Sequence, residues 1–373
     1  MYVEIDRPEA FDDHLAATGT LVGVVVQGLD LRSRTTTLVS VPCEGAVLLG
    51  CEVEPAAVER LYAGGALLYP RFPDLPFHPF RPTLYRPEDL LSGYRGGDPA
   101  SLDRSADAQV YRWYQQHRRR PAVLSALAQR IHDHAIDDAL DELLASDGRG
   151  QRLVAIMGGH GIGRDHPRFA EVARLGRLLT RRGFFVASGG GPGAMEATNL
   201  GAWFAPHDDD ALDEALALLA TVPSFEPVHR WIDVALEVRR RWPPIDPDVP
   251  TSLGVPTWHY GHEPSNLFAS HHAKYFANSI REDGLLAIAT AGVVFAPGSA
   301  GTIQEVFQDA AQNHYRSFGV VSPMVFLDRR YWTEDKPVYP LLAQLADGHD
   351  YADKLGAYDD AASVVEHIER HRP

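Results

Sequence analysis

Apolar positions change their period twice along the chain. Over roughly the first hundred residues they fall in short runs, Leu21 to Val26, Thr37 to Val41 and Ala46 to Leu49, and a proline-rich stretch follows from Pro70 to Pro87. Short runs bounded by turn residues predict a small domain of modest strands. From Ala106 to Ala145 the apolar residues recur at helical spacing, through Val110, Trp113, Tyr114, Leu124, Leu127, Ile131, Ala135 and Leu140. That spacing predicts helices joining two parts of the molecule.

From Leu153 onward the two periods alternate. Continuous apolar runs at Leu153 to Met157, Phe184 to Ser188, Ser252 to Thr257, Val293 to Ala296 and Val320 to Leu327 read as buried strands. Between and after them, helical patterns cover Phe169 to Arg182, Ala194 to Phe204, Asp209 to Ala220, Phe225 to Arg241, Asn266 to Ala289, Thr302 to Tyr315 and Asp359 to His371. Alternation of this kind predicts an α/β fold, a doubly wound parallel sheet covered on both faces, with a smaller N-terminal mixed α+β domain. The expected boundaries are 1–105 for the N-terminal accessory domain, 106–150 for the connecting helices and 151–373 for the doubly wound domain.

Composition narrows the partners. With 373 residues and 45% hydrophobic content the chain can bury a large core. Its formal net charge of -15 argues against a nucleic-acid or anionic-membrane surface, so any anion site must be local and built mostly from backbone. The longest apolar stretch, Leu285 to Ala296, is too short to span a bilayer and is interrupted by Thr290 and Gly292. No secretory leader is expected from Met1 to Asp6. Cys43 and Cys51 are the only cysteines, which fits a reducing, cytoplasmic location. Lysine occurs only at Lys274, Lys336 and Lys354.

Three glycine-rich loops each follow a predicted strand. In the first, Gly158-Gly159-His160-Gly161-Ile162-Gly163, His166 stands where a dinucleotide fingerprint needs its last glycine. The second runs Gly189-Gly190-Gly191-Pro192-Gly193, and the third Pro297-Gly298-Ser299-Ala300-Gly301-Thr302. Glycines at a strand-to-helix turn let backbone amides approach a ligand, and a phosphate there meets the positive end of a helix. The loops gather on the edge where open α/β sheets bind ligands.

The stretches Gly189 to Ala197 and Pro297-Gly298-Ser299-Ala300-Gly301-Thr302-Ile303-Gln304-Glu305 resemble the Lonely Guy superfamily of Rossmann-like nucleotide-binding proteins, whose signature is Pro-Gly-Gly-x-Gly-Thr-x-x-Glu. The resemblance covers roughly residues 150 to 330. It implies a phosphoribohydrolase that cleaves nucleoside 5′-monophosphates to free base and ribose 5-phosphate, needs no cofactor or metal, and forms a homo-oligomer, a dimer or tetramer. By the same resemblance Glu305 and Arg281 are catalytic. Gly158, Gly159, Gly189, Gly190, Gly191, Gly193, Gly298, Ser299, Ala300, Gly301 and Thr302 are the phosphate and nucleotide-binding set. Ser299 departs from the family's second glycine, and Arg281 is offset by one residue.

Breaking an N-glycosidic bond builds positive charge on the ribose, so a carboxylate beside the ring is the expected stabiliser, and Glu305 fills that role. Arg281 would hold phosphate or orient the ribose through its planar fork. His259, Tyr260 and His262 follow a predicted strand and are candidates to line the base. Histidines and Glu263 in this segment lack the spacing of a His-Glu-x-x-His zinc helix. The alternative is a non-catalytic nucleotide-binding or molybdenum-cofactor-type carrier protein using the same loops.

Overall fold

The structure, a computed structural model, describes residues 3–260 and 263–372. It divides into two compact units, residues 1–84 with 113–140, and residues 85–112 with 141–373. The expected connecting segment 106–150 is therefore shared out between them.

The first unit begins β1 (Val3–Ile5), α1 (Pro8–Thr18), β2 (Val24–Gln27), α2 (Thr35–Ser40), β3 (Val47–Leu49), α3 (Pro55–Ala63), β4 (Leu67–Tyr69). Its four strands pair in sequence order and every pairing is parallel, as in Val3 with Val24 and Val47 with Leu67. Where a mixed α+β domain was expected, the chain makes a small parallel α/β sheet. The run Thr37 to Val41, read as a strand, lies mostly in α2. Joining two neighbouring parallel strands requires a crossover, and this segment supplies it. Leu38 faces the core with Ile5, Phe11, Val24, Val26, Leu48 and Leu61.

Three helices follow: α4 (Pro87–Leu91), α5 (Ala106–His117) and α6 (Val123–Ala145). The unit boundaries at 112/113 and 140/141 fall inside α5 and α6, and the one at 84/85 precedes α4.

The second unit continues β5 (Leu153–Met157), α7 (Pro167–Arg181), β6 (Phe185–Ser188), α8 (Ala194–Trp203), α9 (Asp209–Leu219), α10 (Val228–Arg241), β7 (Ser252–Gly254), β8 (His271–His272), α11 (Asn278–Ile288), β9 (Gly292–Phe295), α12 (Ala300–Tyr315), β10 (Met324–Leu327), α13 (Val338–Ala346), β11 (Leu355–Tyr358) and α14 (Ala361–His371). The seven strands lie in the order β11-β10-β9-β5-β6-β7-β8, all parallel. This is a Rossmann-like doubly wound sheet. Strands β5, β6, β9 and β10 are buried along their whole length, which is why they read as unbroken apolar runs. From β5 the chain winds outward through β6 to β8, then returns to place β9 on the other flank of β5. The turn of direction opens a crevice beyond the carboxyl ends of β5 and β9.

The predicted helix over Asn266 to Ala289 is a loop, strand β8, and α11. Asn266 explains the difference: its side-chain oxygen accepts from the backbone amides of Phe268 and Ala269, an Asx-type turn that competes with helix formation. Its own amide donates to Gly190 O. The histidines beyond it then pair with β7, Leu253 with His271 and Gly254 with His272. Helix α13 and edge strand β11 also lie outside the predicted set.

Candidate functional site

A cavity of about 320 Å³ occupies the crevice between the loops after β5 and β9. Its walls include Gly158, Gly159, His160, Gly189, Tyr260, Glu263, Arg281, Ser299, Gly301, Thr302 and Glu305. All three glycine loops thus reach one site, together with both residues expected to be catalytic. The loops are tied to one another: Gly159 N donates to Pro297 O at 3.4 Å and Ala194 N to Gly159 O at 3.1 Å.

The remaining predicted glycines serve the backbone and do not line the cavity. Gly193 has φ +70°, and a Cβ there would fall 2.6 Å from the carbonyl oxygens of both Gly159 and His160. Gly190, at φ +75°, lies against Val255 and Pro256. Gly191 packs on Met195, and Gly298 leaves room for the Thr302 side chain. Ala300 opens α12 and is exposed. Of the base-lining candidates, Tyr260 reaches the cavity. His259 is exposed beside Tyr260, its amide bonded to Thr257 Oγ1, and does not line the cavity. His262 lies outside the described residues.

Helix α12 enters from the third loop with Ser299 as its N-cap residue, so the free amides of its first turn and its positive dipole end face the cavity. Glu305 follows on the second turn and is held close to Arg281, with Nη1 to Oε1 at 3.7 Å and both side chains 13% exposed. Arg281 comes from α11, and its Nε donates to Val255 O at 3.1 Å. Its guanidinium crosses directly over Gly189, where any Cβ would collide with Nη2. The middle glycine loop therefore makes room for an arginine as well as a ligand.

Burial pushes the Glu305 carboxyl up to about 7 from its ordinary 4.5; Arg281 pulls against that and Glu282 adds to it. Near neutral pH the group exchanges its proton readily, which suits a general base. On the opposite wall His160 Nδ1 lies 3.1 Å from Glu263 Oε1, the imidazole half exposed. Met157, Met195 and Glu282 complete the lining. Met157 ends the apolar run read as a strand, His160 stands in the first glycine loop and Met195 in the stretch Gly189 to Ala197, whereas Glu263 and Glu282 join the lining through proximity in the folded chain. Arg281 is the only arginine or lysine among the described lining residues.

The histidines after β7 have a structural use. His272 is fully buried, its Nε2 2.9 Å from Asn266 O, and burial drives it down to about 3. His271 is likewise held down to about 4 by burial.

Neither protein-family models nor curated proteins give a match to this chain. Among solved structures it is similar to the molybdenum cofactor binding protein from the phototrophic bacterium Rippkaea orientalis, with 14% identity and a TM-score of 0.37, covering 58% of this chain and 95% of that one.

Proposed function

We propose that this chain is a nucleoside 5′-monophosphate phosphoribohydrolase of the Lonely Guy type, hydrolysing the N-glycosidic bond to release a free base and ribose 5-phosphate. The observation that carries the reading is Glu305, a buried carboxyl beside Arg281 in the same cavity as an open helix N-terminus. The 5′-phosphate would rest on the amides at Ser299 to Thr302, with the ribose between that loop and Glu305. In the reaction the C1′–N bond breaks and its electron pair leaves with the base. A water oxygen bonds C1′, and the water proton passes through Glu305 to the base nitrogen. The carboxylate also offsets charge developing on the ribose, while Arg281 fixes the carboxylate's orientation.

Incubation with a panel of nucleoside monophosphates, with chromatography of free bases, tests the proposal. Release of base and ribose 5-phosphate in equal amounts is expected. Nucleotide binding without base release, unaltered by Glu305→Ala, would instead leave a carrier. The same resemblance carries the expectation of a homo-oligomer, which light scattering on the purified protein reads directly.

A further inference from the structure

The third loop is gripped from behind by two donors. Tyr331 Oη and Lys336 Nζ both donate to the Gly298 carbonyl oxygen, the lysine at 3.0 Å. Both come from the segment after β10, where Tyr331–Asp335 forms one wide helical turn closed by Lys336 N donating to Tyr331 O at 2.7 Å. That segment is itself anchored on the neighbouring strands: Trp332 Nε1 donates to Phe295 O at 3.1 Å and Leu327 O at 3.0 Å. Arg168 stacks on the Tyr331 ring, 5.4 Å from its centre, and pairs with Asp328.

In a trans peptide the carbonyl and the following N–H point in opposite directions. Pinning Gly298 O outward therefore turns the Ser299 N–H inward, towards the cavity that Ser299 lines. Two donors on one carbonyl, one of them a cation, also polarise that peptide and make its N–H a stronger donor. Charge matters in this cavity. Arg281, the one arginine or lysine among the described lining residues, is engaged with Glu305, and Glu263 and Glu282 add negative charge. An ammonium one peptide behind the cradle supplies the missing positive field without entering the ligand's space.

We propose that Lys336 and Tyr331 are positioning residues that act through the Gly298–Ser299 peptide to set the affinity of the third loop for the ligand's phosphate. This rests on the nucleotide reading of the site. The test is ribose 5-phosphate binding by calorimetry, together with KM and kcat for a cleaved nucleotide, in the full-length protein and in Lys336→Met, Lys336→Arg and Tyr331→Phe. Lys336→Met is expected to weaken ribose 5-phosphate binding about tenfold and to raise KM by a similar factor, with kcat changed far less. Lys336→Arg should recover most of the loss. Tyr331→Phe, which keeps the ring and its packing, should weaken binding by a smaller factor and covers the case in which Lys336→Met does not fold. Unchanged affinity in Lys336→Met and Tyr331→Phe, or a fall in kcat at constant KM, would overturn the inference while leaving the enzyme reading intact. Failure of the unaltered protein to bind ribose 5-phosphate would overturn both.

Discussion

Glu305 and Asp309 stand one helical turn apart on α12, and both carboxyls are held protonated well above their ordinary range by burial. Their consequences differ. In the proposed reaction Glu305 works as a carboxylate, so base release should rise as pH passes through about 7 and level off above it, in a pH–rate profile. Glu305→Gln removes the titrating group and should cut kcat by about a hundredfold or more while ribose 5-phosphate affinity stays within about threefold. Asp309 is 2% exposed, its Oδ2 has no hydrogen-bond partner, and burial raises it to about 8 from 3.8. Between those two values the folded chain binds a proton that the unfolded chain has released, so stability falls as pH rises. Asp309→Asn should therefore melt at least about 3 °C above the unaltered protein at pH 8.5, the gap closing towards pH 4 in thermal scans.

Helices α7 and α8 pack closely against each other, and glycine decides how close. A Cβ on Gly201 would collide with Ala173 O, and one on Gly176 would fall 2.5 Å from Thr198 O, backbone against backbone in both cases. Gly201→Ala is expected to cost about 2 kcal/mol, measured by urea unfolding. A buried ion pair ties α8 to the first loop: Arg164 donates to both carboxylate oxygens of Glu196, at 2.5 and 2.9 Å, with side chains 1% and 0% exposed. Trp231 Nε1 joins the same carboxylate at 3.2 Å, and the guanidinium lies 4.6 Å from the centre of its ring. Removing one charge strands the other in the core, so Glu196→Gln should lose about 3 kcal/mol of stability by the same measurement. The glycine-glycine-proline-glycine run was legible as a loop in sequence. That Glu196 beyond it anchors the first loop was not, because its partners lie 32 and 35 residues away.

At the scale of the whole molecule, every described residue lining the candidate site belongs to the second unit. A chain of 85–112 joined by a flexible linker to 141–373 should still bind ribose 5-phosphate. One beginning at residue 106 keeps 113–140 without the sheet of its own unit, bares Ala128 and Ile136, and should aggregate in size-exclusion runs. No helix among the described residues is long and apolar enough to cross a membrane. The central strands, the glycine loops and the helix carrying Glu305 were legible because their signals are local: unbroken burial gives apolar runs, and tight turns demand glycine. Strand β8 was not, since two histidines carry no apolar run, and α2 was misread because the β-branched run over Thr37 to Val41 imitates a strand. Sequence by itself thus determined the parallel α/β order and the glycine turn that leads from β9 into α12, both written in neighbouring residues. Only the tertiary structure decided which loops share a cavity, that Arg281 passes over Gly189 to reach Glu305, and that Lys336 holds the Gly298 carbonyl. Those pairings depend on the return of β9 to the flank of β5, a long-range event that no local pattern encodes.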